Sequence, residues 1–476
     1  MSAQGRHLVP VRARLERRVS RGLAMVTGHA LGPYQTAIVR IGFGATWLFF
    51  LLREWPHRHE LYGPDGPWSF GLGKQLLETN HAFTVLMWAG NDSWFELVYV
   101  VALLSAGALL LGWHTRASTV LFMVGVLSLQ NRSVFMGDGG DNVIHLMSMY
   151  LVLTRCSRVW SLDARRARRA RDRAQAAGTG ETQETQGTGQ TEKEAAAEAG
   201  AGGVVLWSVL GAVLLGATIA GALSTGWALC FWALWAANGA WWGLNKAIAV
   251  RGGSGLREIR TVGDVLANLA HNGVLLVIMV EVCLVYSTAG WYKIQGSRWQ
   301  DGSAVYYPMN LDYFSPWPDL SHLLAGNGLM VFLVTYGTVF TQVAFPFTLF
   351  NRRVKNVLLA MMILEHLGIA VLLGLPFFSM AMIAADSVFL PTVFLVWLGR
   401  HATALGARVR GLLPGGTSPG TSGSAPGTVP DAASPAAPGT VPAPGTTGAR
   451  AESGAERTAP HSGSVSSRAG GAERRP

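Results

Sequence analysis

Long apolar segments alternate with short polar links between residues 34 and 400. A helix needs about 20 apolar residues to cross the hydrocarbon core of a bilayer. The pattern therefore predicts membrane-spanning helices at ten places: 34–53, 94–112, 117–134, 141–157, 204–224, 226–245, 264–293, 326–349, 356–374 and 377–398. If the pair at 204–245 does not span, eight remain. The predicted fold class is all-α, a polytopic transmembrane helical bundle.

The polar stretches between these segments divide the chain. We expect a basic arm at 1–33, a first membrane part at 34–164, a basic and then low-complexity insert at 165–203, an apolar hairpin at 204–245, a second membrane part at 246–400 and a tail at 401–476. The insert from 174 and the tail from about 413 are poor in large apolar residues, which predicts disorder. Residues 74–90 have the pattern of an amphipathic helix lying on the membrane surface.

Composition agrees with a membrane protein. Hydrophobic residues make up 50% of the chain and charged residues 14%, whereas soluble domains average about 25% charged residues. The net charge of +10 comes from arginines that cluster at alternate helix ends. Basic clusters of this kind mark the cytoplasmic side, so we predict a multi-pass protein of the plasma membrane with both termini cytoplasmic. The expected partner is the lipid bilayer and not nucleic acid.

Candidate chemistry centres on residues 284–307, LVYSTAGWYKIQGSRWQDGSAVYY. Lys293 lies at the end of an apolar helix beside Trp299, and Tyr286 lies seven residues earlier on the same helix face. A lysine at such a position is either an anchor whose ammonium reaches the interface or a base. The second role requires a pKa far below the usual ~10.4, and the apolar flanks and nearby Arg298 favour such a shift.

Other polar residues lie within the predicted spans. Asp141 and His145 are four residues apart and share a helix face; Asp141 is otherwise the N-cap of its helix. His366 is either a site residue or a hydrogen-bonded residue between helices. Arg40 lies in the first span and must face protein or reach the interface. It is also the suggested partner of Glu281. The histidines and the three cysteines lack metal-ligand spacing, so no metal site is predicted.

Three further stretches extend the pattern around Lys293. They are RIGFGATWLFFLLREWPHRHELYGPDGPW at 40–68, GDGGDNVIHLMSMYLVLTRCSRVWSLDA at 137–164 and EHLGIAVLLGLPFFSMAMIAADSVFLP at 365–391. Together with Y-x-x-A-G-x-x-K-I-x-x-x-x-W-x-D-G at 286–302, they resemble vitamin K-dependent gamma-carboxylases. They are more similar still to the bacterial HTTM (horizontally transferred transmembrane) domain proteins. A functional histidine of the carboxylases falls on Asp141 here, and the soluble domain that grips their protein substrate has no counterpart in the tail.

The resemblance implies a site that opens on the outer side of the membrane. Its catalytic residue would be Lys293, and its substrate-binding residues would be Arg40, Asp141, His145, Tyr286, Trp299 and His366. No cofactor is evident from the residues; a quinone or quinol is implied by the resemblance. Two functions remain open: lysine-based chemistry on a quinol or similar lipid-phase compound, and a non-catalytic module that binds lipid or quinone or assembles with another protein. A transporter is a weaker alternative because no inverted repeat is evident.

Overall fold

The apolar segments of the sequence form the long helices of the structure. In the computed structural model, which describes residues 3–177 and 201–412, every secondary-structure element is helical. Six helical segments, two of which include a short 3-10 turn, are long and apolar enough to cross a membrane: Pro33–Tyr62, Asp92–Leu111, Gly202–Ile219, Ser254–Gln295, Gly328–Thr348 and Arg352–Leu372. A bent pair, Pro376–Phe389 with Thr392–Gly406, would make a seventh span. The protein is a helical membrane protein.

In the first part of the chain, the described residues form eight α-helices, four of which pack tightly against one another. Its elements are α1 (Ala3–Gly28), α2 (Pro33–Glu54), α3 (Arg58–Tyr62), α4 (Phe70–Asn80), α5 (Asp92–Leu111), α6 (Thr115–Arg132), α7 (Gly139–Val152) and α8 (Leu162–Ala177). Helix α2 lies at the centre, and its Phe43 and Trp47 are fully buried. Gly44 of α2 lies directly against the backbone of Leu110. Such close helix contacts are typical of membrane bundles, where small residues allow backbones to approach.

The second part of the chain adds a hairpin and a group of helices around one long helix. Its elements are α9 (Ala201–Ile219), α10 (Thr225–Arg251), α11 (Ser254–Gln295), α12 (Ser297–Gln300), α13 (Tyr306–Met309), α14 (Pro318–Ala325), α15 (Gly328–Ala344), α16 (Arg352–Leu372), α17 (Pro376–Asp386) and α18 (Thr392–Leu412). Helix α11 has 42 residues. At 1.5 Å per residue it is about 63 Å long, roughly twice the thickness of a hydrocarbon core.

Contacts between the two parts define two ends of the bundle. At the basic end, where α2 begins, Gln35 donates a hydrogen bond to the carbonyl of Leu390. At the opposite end, Phe377 packs edge-on against Phe50 of α2, with ring centroids 5.7 Å apart. Helix α17 and the turn after it therefore run antiparallel beside α2 along most of its length.

The last predicted span, 377–398, is not one straight helix. Helices α17 and α18 meet at a bend of 120°. The bend falls at Pro391, which lacks an N–H and disfavours a helical conformation in the residue before it; Leu390 is accordingly extended. Helix α18 turns back across the basic end, where Gly399 approaches the ring of Trp160. It continues to Leu412, so the start of the predicted tail is helical.

Other boundaries also differ from the sequence prediction. The predicted link at 246–263 is largely helical, because α10 continues to Arg251 and α11 begins at Ser254. The basic arm forms α1, and the basic start of the insert forms α8. The predicted surface helix at 74–90 is shifted to Phe70–Asn80. The insert predicted to be disordered at 174–203 is helical at both edges, because α8 continues to Ala177 and α9 begins at Ala201. The rest of the insert, 178–200, and the tail at 413–476 lie outside the described residues.

Candidate functional site

Helices α11, α15, α16 and α17 bring six polar side chains together inside the apolar bundle. This polar cluster consists of Tyr286, Lys293, Gln342, Glu365, His366 and Asp386. Tyr286, His366 and Asp386 are 1%, 2% and 0% exposed. Polar groups this deeply buried are costly unless they are hydrogen-bonded, and the cluster is held by two separate sets of bonds.

The first set holds Lys293. Its Nζ donates to Oε1 of Gln342 at 2.9 Å and lies 5.2 Å from the ring centroid of Trp299. Nε2 of Gln342 donates in turn to Oε1 of Glu365 at 2.6 Å. A neutral amide therefore separates the amine from the nearest carboxylate of the cluster. The lysine and Glu365 interact electrostatically without forming a direct ion pair.

The second set centres on the hydroxyl of Tyr286. The hydroxyl donates to Oδ2 of Asp386 at 2.9 Å and lies 2.9 Å from Nε2 of His366. With the single hydroxyl hydrogen directed at Asp386, Nε2 of His366 is assigned the hydrogen of the second bond. The other ring nitrogen, Nδ1, is then an acceptor.

Two acceptors of this set have no hydrogen-bond partner among the described residues: Nδ1 of His366 and Oδ1 of Asp386. Both atoms are buried, and aromatic rings surround the side chains of this set. Phe378 lies 5.6 Å from the His366 ring, and Phe345 lies 6.2 Å from Tyr286. A bound molecule with a hydroxyl group could supply the missing donor.

Helix geometry explains how these residues meet. Tyr286 and Lys293 are two turns apart on α11 and share a face: Tyr286 bonds to α16 and α17, and Lys293 bonds to α15. Glu365 and His366 are consecutive on α16 and point in different directions: Glu365 bonds to α15 and His366 bonds to α11. Asp386 is the last residue of α17, just before the bend at Pro391.

Asp141 and His145 lie outside the hydrogen-bonded cluster. Asp138, and not Asp141, is the N-cap of α7, and the two carboxylates form a capping box with each other's backbone N–H groups. His145 pairs through Nδ1 with Oε1 of Gln130 at 3.0 Å. Phe378 packs against Gly140 at the start of α7 and faces the ring of His366, so α7 meets the cluster through an apolar contact.

Arg40 is also remote from Lys293. It is fully buried at the basic end, where it donates hydrogen bonds to the carbonyl groups of Leu109, Leu110 and Trp160. Its guanidinium joins the end of α5 to the link after α7. Among the described residues, the side chain of Arg40 bonds to these carbonyl groups and not to Glu281, its suggested partner.

Three members of the cluster were not among the predicted site residues. Glu365 and Asp386 are visible in the sequence as acidic residues within spans, but no role follows from their positions alone. Gln342 is a single amide within the apolar run 326–349. Treating every polar side chain inside a span as a site candidate would have found it, although its two partners would have remained unknown.

Comparisons with known proteins identify no relative of this chain. No family model, no curated protein and no solved structure matches the chain. The likeness to HTTM proteins therefore depends on the sequence motifs alone.

Proposed function

We propose that the chain is an HTTM-type protein of the plasma membrane in which Lys293 acts as a general base. Its substrate would be a quinol or another weakly acidic hydroxyl compound dissolved in the lipid phase, reached from the outer side. The observation that carries this proposal is the hydrogen bond from Lys293 to a neutral amide. In the proposed reaction the amine takes the hydroxyl proton, giving an ammonium ion and a quinolate anion.

The surroundings of Lys293 suit that role. A direct ion pair with Glu365 would favour the protonated amine. The amide of Gln342 removes that direct contact and still fixes the position of Nζ. Once the amine is protonated, Glu365 is near enough to stabilise the charge through Gln342, and the ring of Trp299 offers a favourable cation–π contact. Glu365 and Trp299 therefore favour the protonated form of Lys293 that proton transfer produces.

The second set of bonds suits a hydroxyl-bearing ligand. Nδ1 of His366 and Oδ1 of Asp386 are buried acceptors in need of a donor. A quinol carries two hydroxyl groups on one ring, so one could approach Lys293 while the other donates to this acceptor pair. We propose that Tyr286 positions His366 and Asp386 for that contact.

The proposed topology has ten crossings: α2, α5, α6, α7, α9, α10, α11, α15, α16 and α17. Helix α18 then lies along the membrane surface at the basic end. With both termini in the cytoplasm, the basic end is the cytoplasmic side, as the distribution of arginines favours. Lys293 lies 21 residues beyond Asn272, which binds the carbonyl groups of Val26 and His29 at the basic end. This spacing of about 32 Å along α11 supports the proposal that Lys293 lies in the outer half.

The alternative is a non-catalytic module that binds quinone or lipid or assembles with another protein. It is favoured by the position of Lys293 over Trp299, a pairing also typical of interface anchors. Asp141, in place of the histidine of the carboxylases, favours it as well. In that case Tyr286, His366 and Asp386 serve only to hold three helices together.

Consumption of a naphthoquinol by the purified protein in air-saturated buffer separates the two functions. A quinolate is oxidised by dissolved oxygen more readily than the neutral quinol, so deprotonation by Lys293 should accelerate loss of the quinol. Lys293→Met and Lys293→Arg should both abolish the acceleration, because a guanidinium stays protonated. The exposed Lys74 provides the control Lys74→Met, which should have no effect. Acceleration that persists in Lys293→Arg would exclude the base.

A further inference from the structure

A large cavity separates the α9–α10 hairpin from helices α5 and α6. Its volume is about 1300 Å³, larger than the roughly 300–1,000 Å³ of pockets for drug-sized ligands. Apolar side chains line most of it, among them Val120 and Val124 of α6 and Leu210 and Val213 of α9. This site is separate from the polar cluster, none of whose members lines it.

Aromatic residues hold the hairpin around the cavity. Trp207 of α9 and Trp235 of α10 stack with ring centroids 4.0 Å apart, and each indole N–H donates to the other's carbonyl. Phe83 packs against Trp227 and Phe231 of α10 at the end away from the basic end. The hairpin is thus fastened at two places while the space between stays open.

The polar groups of the cavity gather at the basic end. Arg155 is ion-paired with Asp264 at 2.6 Å, and Arg166 lies 3.7 Å from Asp163. Arg116 also lines this end and is exposed. Its guanidinium forms no ion pair or hydrogen bond with the described residues. The cavity therefore has apolar walls and a positively charged mouth.

Asn245 supplies a second, independent sign of a ligand. It lies near the end of α10, lines the cavity and is 7% exposed. Its Oδ1 has no hydrogen-bond partner among the described residues. A buried amide oxygen without a donor is unfavourable, so a molecule with a hydroxyl or amine group near the mouth would stabilise it.

We propose that this cavity binds one anionic phospholipid from the leaflet at the basic end. The acyl chains occupy the apolar space between the hairpin and α6, the phosphate pairs with Arg116, and a headgroup hydroxyl donates to Oδ1 of Asn245. A free anion would gain nothing from the apolar walls. A neutral hydrocarbon would leave both Arg116 and Asn245 without partners. An anionic lipid with a hydroxylated headgroup satisfies the walls, the charge and the amide together.

Native mass spectrometry of the detergent-solubilised full chain tests the proposal. The probes are dioleoyl phosphatidylglycerol, dioleoyl phosphatidylcholine and inorganic phosphate. One phosphatidylglycerol should stay bound at collision energies that remove phosphatidylcholine. Arg116→Ala and Asn245→Leu should each weaken its retention by about tenfold, the effect of losing one strong polar contact. Val213→Trp, which fills the cavity, should abolish retention. Arg400→Ala is the matched control: an exposed arginine at the basic end, away from the cavity, whose loss should change nothing.

Three results would overturn the proposal. Equal retention of the two lipids would show that charge is not recognised. If Arg400→Ala and Arg116→Ala weaken retention of phosphatidylglycerol equally, the lipid is held by general attraction to the basic surface and not by this cavity. Stabilisation against thermal unfolding by inorganic phosphate as large as that by phosphatidylglycerol would show a soluble-anion site. The melting temperature of each variant is measured alongside, and because Arg116 and Asn245 are on different helices, misfolding of one variant leaves the other to decide.

Discussion

At the scale of single residues, Tyr286 is the residue on which the interior of the polar cluster depends. Its one hydroxyl connects His366 of α16 with Asp386 of α17. Removal of the hydroxyl leaves two buried polar groups without a partner, in addition to the two acceptors that already lack one. The cost of such a change exceeds that of losing the hydrogen bonds alone, because the remaining groups stay out of water.

We therefore expect Tyr286→Phe to lower the free energy of unfolding by about 2–6 kcal/mol, because it leaves two buried polar groups unpaired at about 1–3 kcal/mol each. Thermal unfolding in detergent measures the change. Tyr292→Phe is the matched control, because Tyr292 lies on the same helix and is 73% exposed. This substitution should change the free energy of unfolding by no more than about 0.5 kcal/mol. Similar melting of the two variants would show that the Tyr286 bonds do not form.

Part of the cluster could be predicted from the sequence and part could not. The seven-residue spacing placed Tyr286 and Lys293 on one face, because helix periodicity is a local property. The partners of these residues could not be predicted. Gln342 and Asp386 lie 49 and 100 residues from the residues they bind, and no local pattern encodes which helices pack together. Asp141 and His145 both bond to Gln130 of α6, a partner that their four-residue spacing does not indicate.

At the scale of elements, the structure depends on close packing of α2 against α5. Gly44 is the point of contact: a Cβ added there would lie 3.0 Å from the backbone N of Leu110 and 3.1 Å from its Cα. Backbone atoms cannot rotate away as a side chain can. The two helices would have to separate, and the contacts of Phe43 and Trp47 with the bundle would loosen.

Gly44→Ala should accordingly lower the melting temperature. The expected loss in the free energy of unfolding is about 1–3 kcal/mol, as for other overpacked sites. Gly107→Ala of α5 is the control, since a Cβ there has no atom within 4 Å. In a helix interior that control should be neutral or stabilising by up to about 1 kcal/mol. If both variants behave alike, α2 and α5 are not packed as described.

Hydropathy predicted the centres of the helices better than their ends. The length of an apolar run matches the thickness of the bilayer. The helix itself can continue beyond that run for as long as its backbone hydrogen bonds are satisfied. Helices α10 and α11 therefore run through the polar stretch 246–263, and only Gly252 and Gly253, both with positive φ, interrupt them. The break before Pro391 was missed because both sides of it are apolar.

At the scale of the whole molecule, the fold class follows from composition and periodicity, while the orientation in the membrane is a separate proposal. Cysteine labelling of intact cells tests it. In a background without Cys156, Cys230 and Cys283, Asp65→Cys and Ser303→Cys should react with an impermeant thiol reagent. Gly255→Cys at the basic end should react only after the cells are opened. Labelling of Gly255→Cys alone in intact cells would invert the orientation and place Lys293 towards the cytoplasm.

The protonation state of Lys293 distinguishes a base from an interface anchor, and measuring it requires no knowledge of the substrate. Only an unprotonated amine reacts with a small membrane-permeant acylating reagent, so the labelling rate follows the unprotonated fraction at each pH. The ratio of rates at pH 10 and pH 8 cancels differences in access between buried and exposed sites. A lysine with the ordinary pKa near 10.4 should react about 70-fold faster at pH 10 than at pH 8. If Lys293 is a base, its rate should rise less than about threefold, while the exposed Lys74, measured in the same sample, provides the reference. A Lys293 ratio equal to that of Lys74 would exclude a base and leave Lys293 as an interface anchor.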